Sequence, residues 1–235
     1  MAEFDQVEAA AAANGVTIFE AFMYLHHPQT LAAQRLIAGG RLGQVQLVQA
    51  WFNFYLSPER ATNIRLRADV TGGCLWDVGV YPNSLAVVMA HPAQPRSIFA
   101  SQIVGETGVD VAMRGQFVFD GGVVGQVSSS FRTPFREGAY VVGDEAILYI
   151  PEPWKPGLKG SDSVMTITNR DGSTEQIVTP TVDPYLCEVE AMERCILDGA
   201  DPVVPLSRSR LFLQCVLAQY ESAATGQVVH IGSSQ

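Results

Sequence analysis

The sequence predicts an α+β fold, a large, open, mostly antiparallel sheet with helices on one face. Long β-rich stretches run from 97 to 104, 109 to 119 and 123 to 131, and Asp120-Gly121-Gly122 supplies a hairpin turn between the last two. Helical patterns are grouped before and after this run instead of alternating with it, which separates the chain from a doubly wound α/β repeat. A chain of 235 residues that is 47% hydrophobic and 17% charged can also bury a sizeable core.

The elements follow in order. An alanine-rich helix is predicted over 4–14, stopped by Asn14-Gly15. Val16 to Phe19 reads as a buried strand, although no earlier strand is present to pair with it. His27-Pro28-Gln29 opens a second helix that reaches Gly39-Gly40, with proline in the first turn where its missing N–H costs nothing. From Val45 to Tyr55 the pattern alternates with period two, as in a strand. A polar connection over 56–71 leads to a glycine pair and a helix that runs to His91-Pro92, with a kink or restart expected at Pro82. Beyond the three long strands, short strands are predicted at 140–142 and 147–150, a proline-rich loop at 151–160, and a hairpin of 164–168 with 175–178 through Asp171-Gly172. Asp183-Pro184 caps a helix with Tyr185, Val189, Met192 and Ile196 on one face. A last helix from Ser207 places Phe212, Val216, Tyr220 and Ala223 together and ends at Thr225-Gly226.

Composition narrows the function. With 15 Lys+Arg against 24 Asp+Glu the formal charge is −9, and no basic cluster offsets it, which argues against nucleic acid. No apolar run approaches the ~20 residues of a membrane span. Cys74, Cys187, Cys195 and Cys215 lack C-x-x-C spacing and read as small core residues in a reducing compartment, so the expectation is a soluble cytoplasmic protein. His26 and His27 lack a third ligand at metal spacing, and no metal is expected.

The chain is organised around the stretch Thr71-Gly72-Gly73-Cys74-Leu75-Trp76-Asp77-Val78-Gly79-Val80-Tyr81-Pro82, which holds its candidate for proton chemistry. If the turn is helical, Asp77 and Tyr81 project from one face. A carboxylate beside a phenol is a proton-handling pair, since the acid can orient the phenol and a nearby cation can ease its ionisation. Such a spacing is also common as plain structure, and Asp77 could equally serve to fix the turn. Trp51, Trp76 and Trp154 are candidates both for a sugar-binding cleft and for the core.

Glu20-Ala-Phe-Met-Tyr24, His27-Pro28-Gln29, Gly39-Gly40-Arg41-Leu42-Gly43, Asn63-Ile64-Arg65, Gly72-Gly73, Asp77-Val78-Gly79 with Tyr81-Pro82, Gly108-Val109-Asp110, Gly143-Asp144-Glu145 and Glu221-Ser222-Ala223 occur in this order. Together they resemble the C-terminal domain of the glucose–fructose oxidoreductase, inositol dehydrogenase and MocA (Gfo/Idh/MocA) family, in its sugar and dihydrodiol dehydrogenase branch. The resemblance implies a Rossmann domain for NAD or NADP in front of an open-sheet domain that supplies the substrate pocket and a homo-oligomer interface. It implies Tyr81 as proton donor and acceptor with Asp77 beside it, and Arg65, Tyr24 and His27 as substrate contacts. A sugar or related alcohol is the expected substrate.

The chain departs from the family pattern in lacking both G-x-G-x-x-G and Glu-Lys-Pro, its lysines being Lys155 and Lys159 alone. Leu25 stands where relatives commonly carry arginine, and Cys74 where a third glycine is common. Residues 1–22 are therefore expected to be the end of a Rossmann domain and 23–235 the substrate-binding and oligomerisation domain, with no cofactor bound by this chain alone and a cofactor domain missing. Two functions remain open: the substrate domain of an NAD(P)-dependent oxidoreductase, or a non-catalytic remnant that oligomerises or binds a small molecule.

Overall fold

A computed structural model describes residues 1–232. Helix α1 (Ala2–Asn14) ends at Gly15, whose left-handed backbone lets its N–H turn back onto Ala11 and Ala12. Arg210 ties this helix to the body of the protein through Asp5 at 2.6 Å and through Glu8. The expected strand at 16–19 does not form. With no neighbouring strand to supply hydrogen-bond partners, the segment stays irregular, and Val16 and Ile18 lie exposed. Phe19 rests on the His26 ring at 5.0 Å, and Phe22 packs into the core edge.

Helices α2 (Met23–His26) and α3 (Pro28–Ala38) follow, α3 being capped by His27, whose Nδ1 accepts from Gln29 N–H at 3.0 Å. Strand β1 (Val45–Tyr55) then leads through three single turns, Pro58–Arg60, Ile64–Leu66 and Ala68–Val70, to a π-helical turn at Leu75–Gly79. Helix α4 (Val80–Ala90) continues directly from it. The restart expected at Pro82 therefore lies two residues earlier, and Pro82 sits in the first turn of α4, where no N–H is needed.

Strands β2 (Pro95–Val104), β3 (Asp110–Phe119), β4 (Val124–Ser130), β5 (Arg132–Gly143), β6 (Ala146–Ile150), β7 (Ser163–Asn169) and β8 (Thr174–Thr179) precede helices α5 (Pro184–Leu197) and α6 (Leu206–Thr225), and a short β9 (Val229–His230) closes the described chain. The nine strands form one sheet in the order β8-β7-β6-β5-β1-β4-β3-β2-β9. Pairing is antiparallel except between β1 and β4. Helices α4 and α6 cover one face, as the fold class requires, and nearly every residue of α4 from Pro82 on is buried.

Strand β5 begins eight residues before the predicted Tyr140. Its first half is polar and contains Pro134, so the sequence hides a strand that exists because β1 offers it a partner as far as Tyr55. Gly138 lies opposite Trp51 in this ladder at φ 153°, and a Cβ there would strike the indole. The stripe Tyr185, Val189 and Ile196 of α5 is turned to solvent, while Cys187, Ala191 and Cys195 are the buried positions.

Candidate active site

The site is built on the π-helical turn. At its end the Val80 N–H reaches Leu75 O, five residues back, which widens the helix where Asp77 and Tyr81 project. The start of the turn is held by a buried carboxylate. Asp110, at the beginning of β3, accepts from Leu75 N–H at 2.7 Å and from Cys74 Sγ at 3.0 Å through one oxygen. Its other oxygen accepts from Tyr220 of α6 at 2.7 Å. One acid thus joins strand, turn and helix. Gly73, at φ 131°, leaves the space for it, since a Cβ there would collide with Asp110. This buttress is not visible in the local pattern, although the glycine pair was its signal.

Tyr81 stands half-buried in a box of aromatic rings. Phe22 and Phe52 meet it edge-on with centroids at 5.6 and 5.7 Å, and Tyr24 and Trp154 lie at 5.9 Å. Its hydroxyl is 3.9 Å from Met23 Sδ. Burial, reinforced by Tyr185, Asp77 and Glu188, pushes the phenol up to about 12. At neutral pH it is therefore protonated.

Asp77 shares the helical face with Tyr81, but its bonded partner is Arg65, with Nε donating to Oδ2 at 2.7 Å. Arg65 is placed for this by the turn that Asn63 caps and by Gly73 N–H bonding to Arg65 O at 2.9 Å. Tyr24 lies fully buried beneath Tyr81, its hydroxyl 2.7 Å from Ser84 Oγ. Burial drives the Tyr24 phenol upward. His27 is also fully buried, and its ring serves the N-terminus of α3. Of the five residues expected at the site, Asp77, Tyr81, Arg65 and Tyr24 come together, and His27 is engaged as a helix cap. Trp154, one of the three tryptophans offered for a cleft or the core, is fully buried as a wall of this box, and Phe52, which sequence reading did not assign, stacks on it at 5.8 Å and 17°. Among the described residues no group of three or more His, Cys, Asp or Glu could hold a metal, and no helix is long and apolar enough to cross a membrane.

The family profile for the GFO/IDH/MocA C-terminal domain matches residues 30–149. The D-xylose 1-dehydrogenase (NADP(+)) 2 of Haloferax volcanii is 35% identical over 234 residues, covering 98% of this chain and 68% of that protein. The chain belongs to the GFO/IDH/MocA family. The trans-1,2-dihydrobenzene-1,2-diol dehydrogenase of Mus musculus is 27% identical over 91% of this chain and 64% of its own. Among solved structures, aldose-aldose oxidoreductase from Caulobacter crescentus, complexed with glycerol, superposes with a TM-score of 0.85 at 18% identity, over 98% of this chain and 68% of that one. A 3-ketoreductase from Actinomadura kijaniata with NADP and TDP-benzene gives 0.84 at 24% identity, over 93% and 66%. These two likenesses establish the fold. The chain spans about two thirds of the length of the proteins it matches, and the family comprises NAD(P)-dependent sugar and dihydrodiol oxidoreductases.

Proposed function

We propose that this chain is the substrate domain of an NAD(P)-dependent oxidoreductase of a sugar or related alcohol, with Tyr81 giving a proton to the reacting oxygen in reduction and taking it in oxidation. The observation that carries this is the Tyr81 phenol, half-buried in its aromatic box at the end of a π-helical turn. A desolvated donor aimed at a reacting oxygen stabilises the charge that develops there. Arg65 and Asp77 form the polar rim of the site, and Tyr24 supports the Tyr81 ring from below. The relatives named for xylose and for a dihydrodiol point to a substrate with neighbouring hydroxyls.

The Gly72-Gly73 turn does not fit the pyrophosphate of a nucleotide. The glycine pair that precedes a helical turn, Gly72-Gly73, already holds the Asp110 carboxylate against Leu75 N–H, and a second anion would be repelled there. On this reading the nucleotide is held by a separate domain, as the family resemblance implies. Four buried free cysteines fit a cytoplasmic setting.

The test is to join the chain behind a nucleotide-binding domain of the family and follow NADPH at 340 nm with D-xylose and related sugars. Tyr81→Phe should lower the rate by about a hundredfold or more, the usual worth of a positioned acid–base group. An unchanged rate in the variant would overturn the role of Tyr81, and a chimera that binds sugars without turnover would favour the non-catalytic module.

A further inference from the structure

Glu137 lies in β5 directly opposite Phe52 of β1, so the two side chains share the helix-covered face of the sheet. The Phe52 ring is the one that meets Tyr81 at 5.7 Å and stacks on Trp154. Phe135, two residues before Glu137 and hence on the same face, approaches Phe52 edge-on at 6.4 Å and is 62% exposed. The rings thus form a row from the exposed Phe135 through the half-buried Phe52 to Tyr81, with the Glu137 carboxylate paired across the ladder from Phe52. That carboxylate lies beside the Trp154 backbone N–H and has no ion-pair partner among the described residues. Lys159, which acts on it through space, is itself bonded to Glu152 at 2.7 Å. A half-buried carboxylate without a cation is costly unless something hydrogen-bonds to it.

We infer that Glu137 is the recognition residue of the Tyr81 site, accepting a hydrogen bond from a second hydroxyl of a polyhydroxylated substrate whose C–H face rests on Phe135. This assignment rests on the oxidoreductase reading and sharpens its substrate class. Aromatic faces suit the apolar side of a sugar, and a carboxylate can accept from hydroxyls that a monofunctional alcohol lacks. Burial, aided by Glu152 and only partly countered by Lys159 and Lys155, lifts the Glu137 carboxyl to about 7. A hydroxyl donor in place of lost water would favour its charged form.

The purified 235-residue chain is titrated with D-xylose, D-glucose and myo-inositol, and with cyclohexanol as the single-hydroxyl control, by tryptophan emission and saturation-transfer NMR. Wild type should bind at least one polyol saturably. Glu137→Gln, which keeps the shape of the side chain, should weaken that binding by about tenfold or more, the worth of a hydrogen bond to a charged acceptor. Its binding of cyclohexanol should match wild type and its thermal midpoint should be no lower than wild type's, whereas Phe135→Ala should weaken both ligands. Equal polyol affinity in wild type and Glu137→Gln overturns the Glu137 assignment alone and leaves the reading of Tyr81 standing. A wild-type chain that binds none of the three polyols overturns the assignment and the sugar reading together.

Discussion

Arg65 Nε donates to Asp77 Oδ2 at 2.7 Å, so the carboxylate one helical turn from Tyr81 is bonded to a guanidinium while it acts on the phenol only through space. Asp77 is one of the three groups that reinforce the upward push of burial on Tyr81. Asp77→Asn removes a negative charge near the phenol and should lower the Tyr81 pKa, because the phenolate is then less opposed. Arg65→Ala unmasks Asp77 and should raise it. Titration by 13Cζ-tyrosine NMR, with Tyr81→Phe used to assign the resonance, reads both shifts; no movement in either variant would remove Asp77 from the site's electrostatics. The ion pair is partly exposed, so Arg65→Ala should cost only about 0.2–1 kcal/mol of stability.

Asp110 should matter far more to folding. Replacing it by alanine leaves the Leu75 N–H and the Tyr220 hydroxyl without their acceptor in a buried place. Each such loss costs about 1–3 kcal/mol, so Asp110→Ala should lose about 2–6 kcal/mol in urea unfolding. A loss below about 1 kcal/mol would mean that the turn is held by other contacts.

His26 gives the chain an acid-sensitive point. It is buried with neither ring nitrogen bonded, and burial first, then Arg194, push it down to about 4. The unfolded ring titrates near 6.5, so between these values the unfolded state binds the proton and the folded state does not. The contribution of His26 is full above about pH 6.5 and is lost as pH falls toward 4. Glu20, pushed up by burial, works in the opposite sense, since acid relieves its buried charge. The thermal midpoint of wild type should therefore drop more between pH 6.5 and 4.5 than that of His26→Phe. Equal drops would show that the ring is hydrated in solution.

The open face of the sheet should bind a second copy. Trp51 and Tyr140 meet there at 5.7 Å, Tyr140 stacks on Tyr149 at 4.5 Å, and Arg136 covers the Trp51 ring at 4.3 Å. This aromatic patch sits among Gln49, Gln126 and Ser128, beside a cleft of about 490 Å³. Such mixed, ring-rich surfaces are typical of protein interfaces. Light scattering at tens of micromolar should report an oligomer, and Tyr140→Glu should shift it toward monomer. A clean wild-type monomer would contradict the proposal.

What was legible in the sequence was local. Asp183-Pro184 and His27-Pro28 mark helix starts because cap and first turn lie within four residues, and Asp120-Gly121-Gly122 marks its hairpin for the same reason. The order of family motifs pointed to the open sheet as a whole. What was hidden is long-range: the first half of β5 exists through pairing with β1, and Asp110 reaches Leu75 and Tyr220 across 35 and 110 positions of sequence. The strand at 16–19 failed for a matching reason. Its apolar residues have strand propensity, but a strand is a relation between segments, and none is alongside.

That segment supplies the last prediction. The Val16 N–H bonds back to Ala11 O at 3.1 Å and the Phe22 N–H to Glu20 O at 2.8 Å, while no amide from Thr17 to Ala21 finds a backbone acceptor among the described residues. Val16 and Ile18 lie exposed, and the anchors are side chains, Phe19 on His26 and Phe22 against Tyr81 and Phe212. Anchored side chains with unbonded amides should exchange quickly even though the rings stay in place. In hydrogen exchange, amides from Thr17 to Ala21 of a verified monomer should exchange within minutes, whereas those of β4 should be protected by both neighbouring strands. Pairing with a second chain would instead protect them in a concentration-dependent way, since an unpaired extended segment is a ready template for a partner strand. If these amides are as protected as β4 in a monomer at every concentration, residues 1–22 are an integral part of this domain and not the end of another.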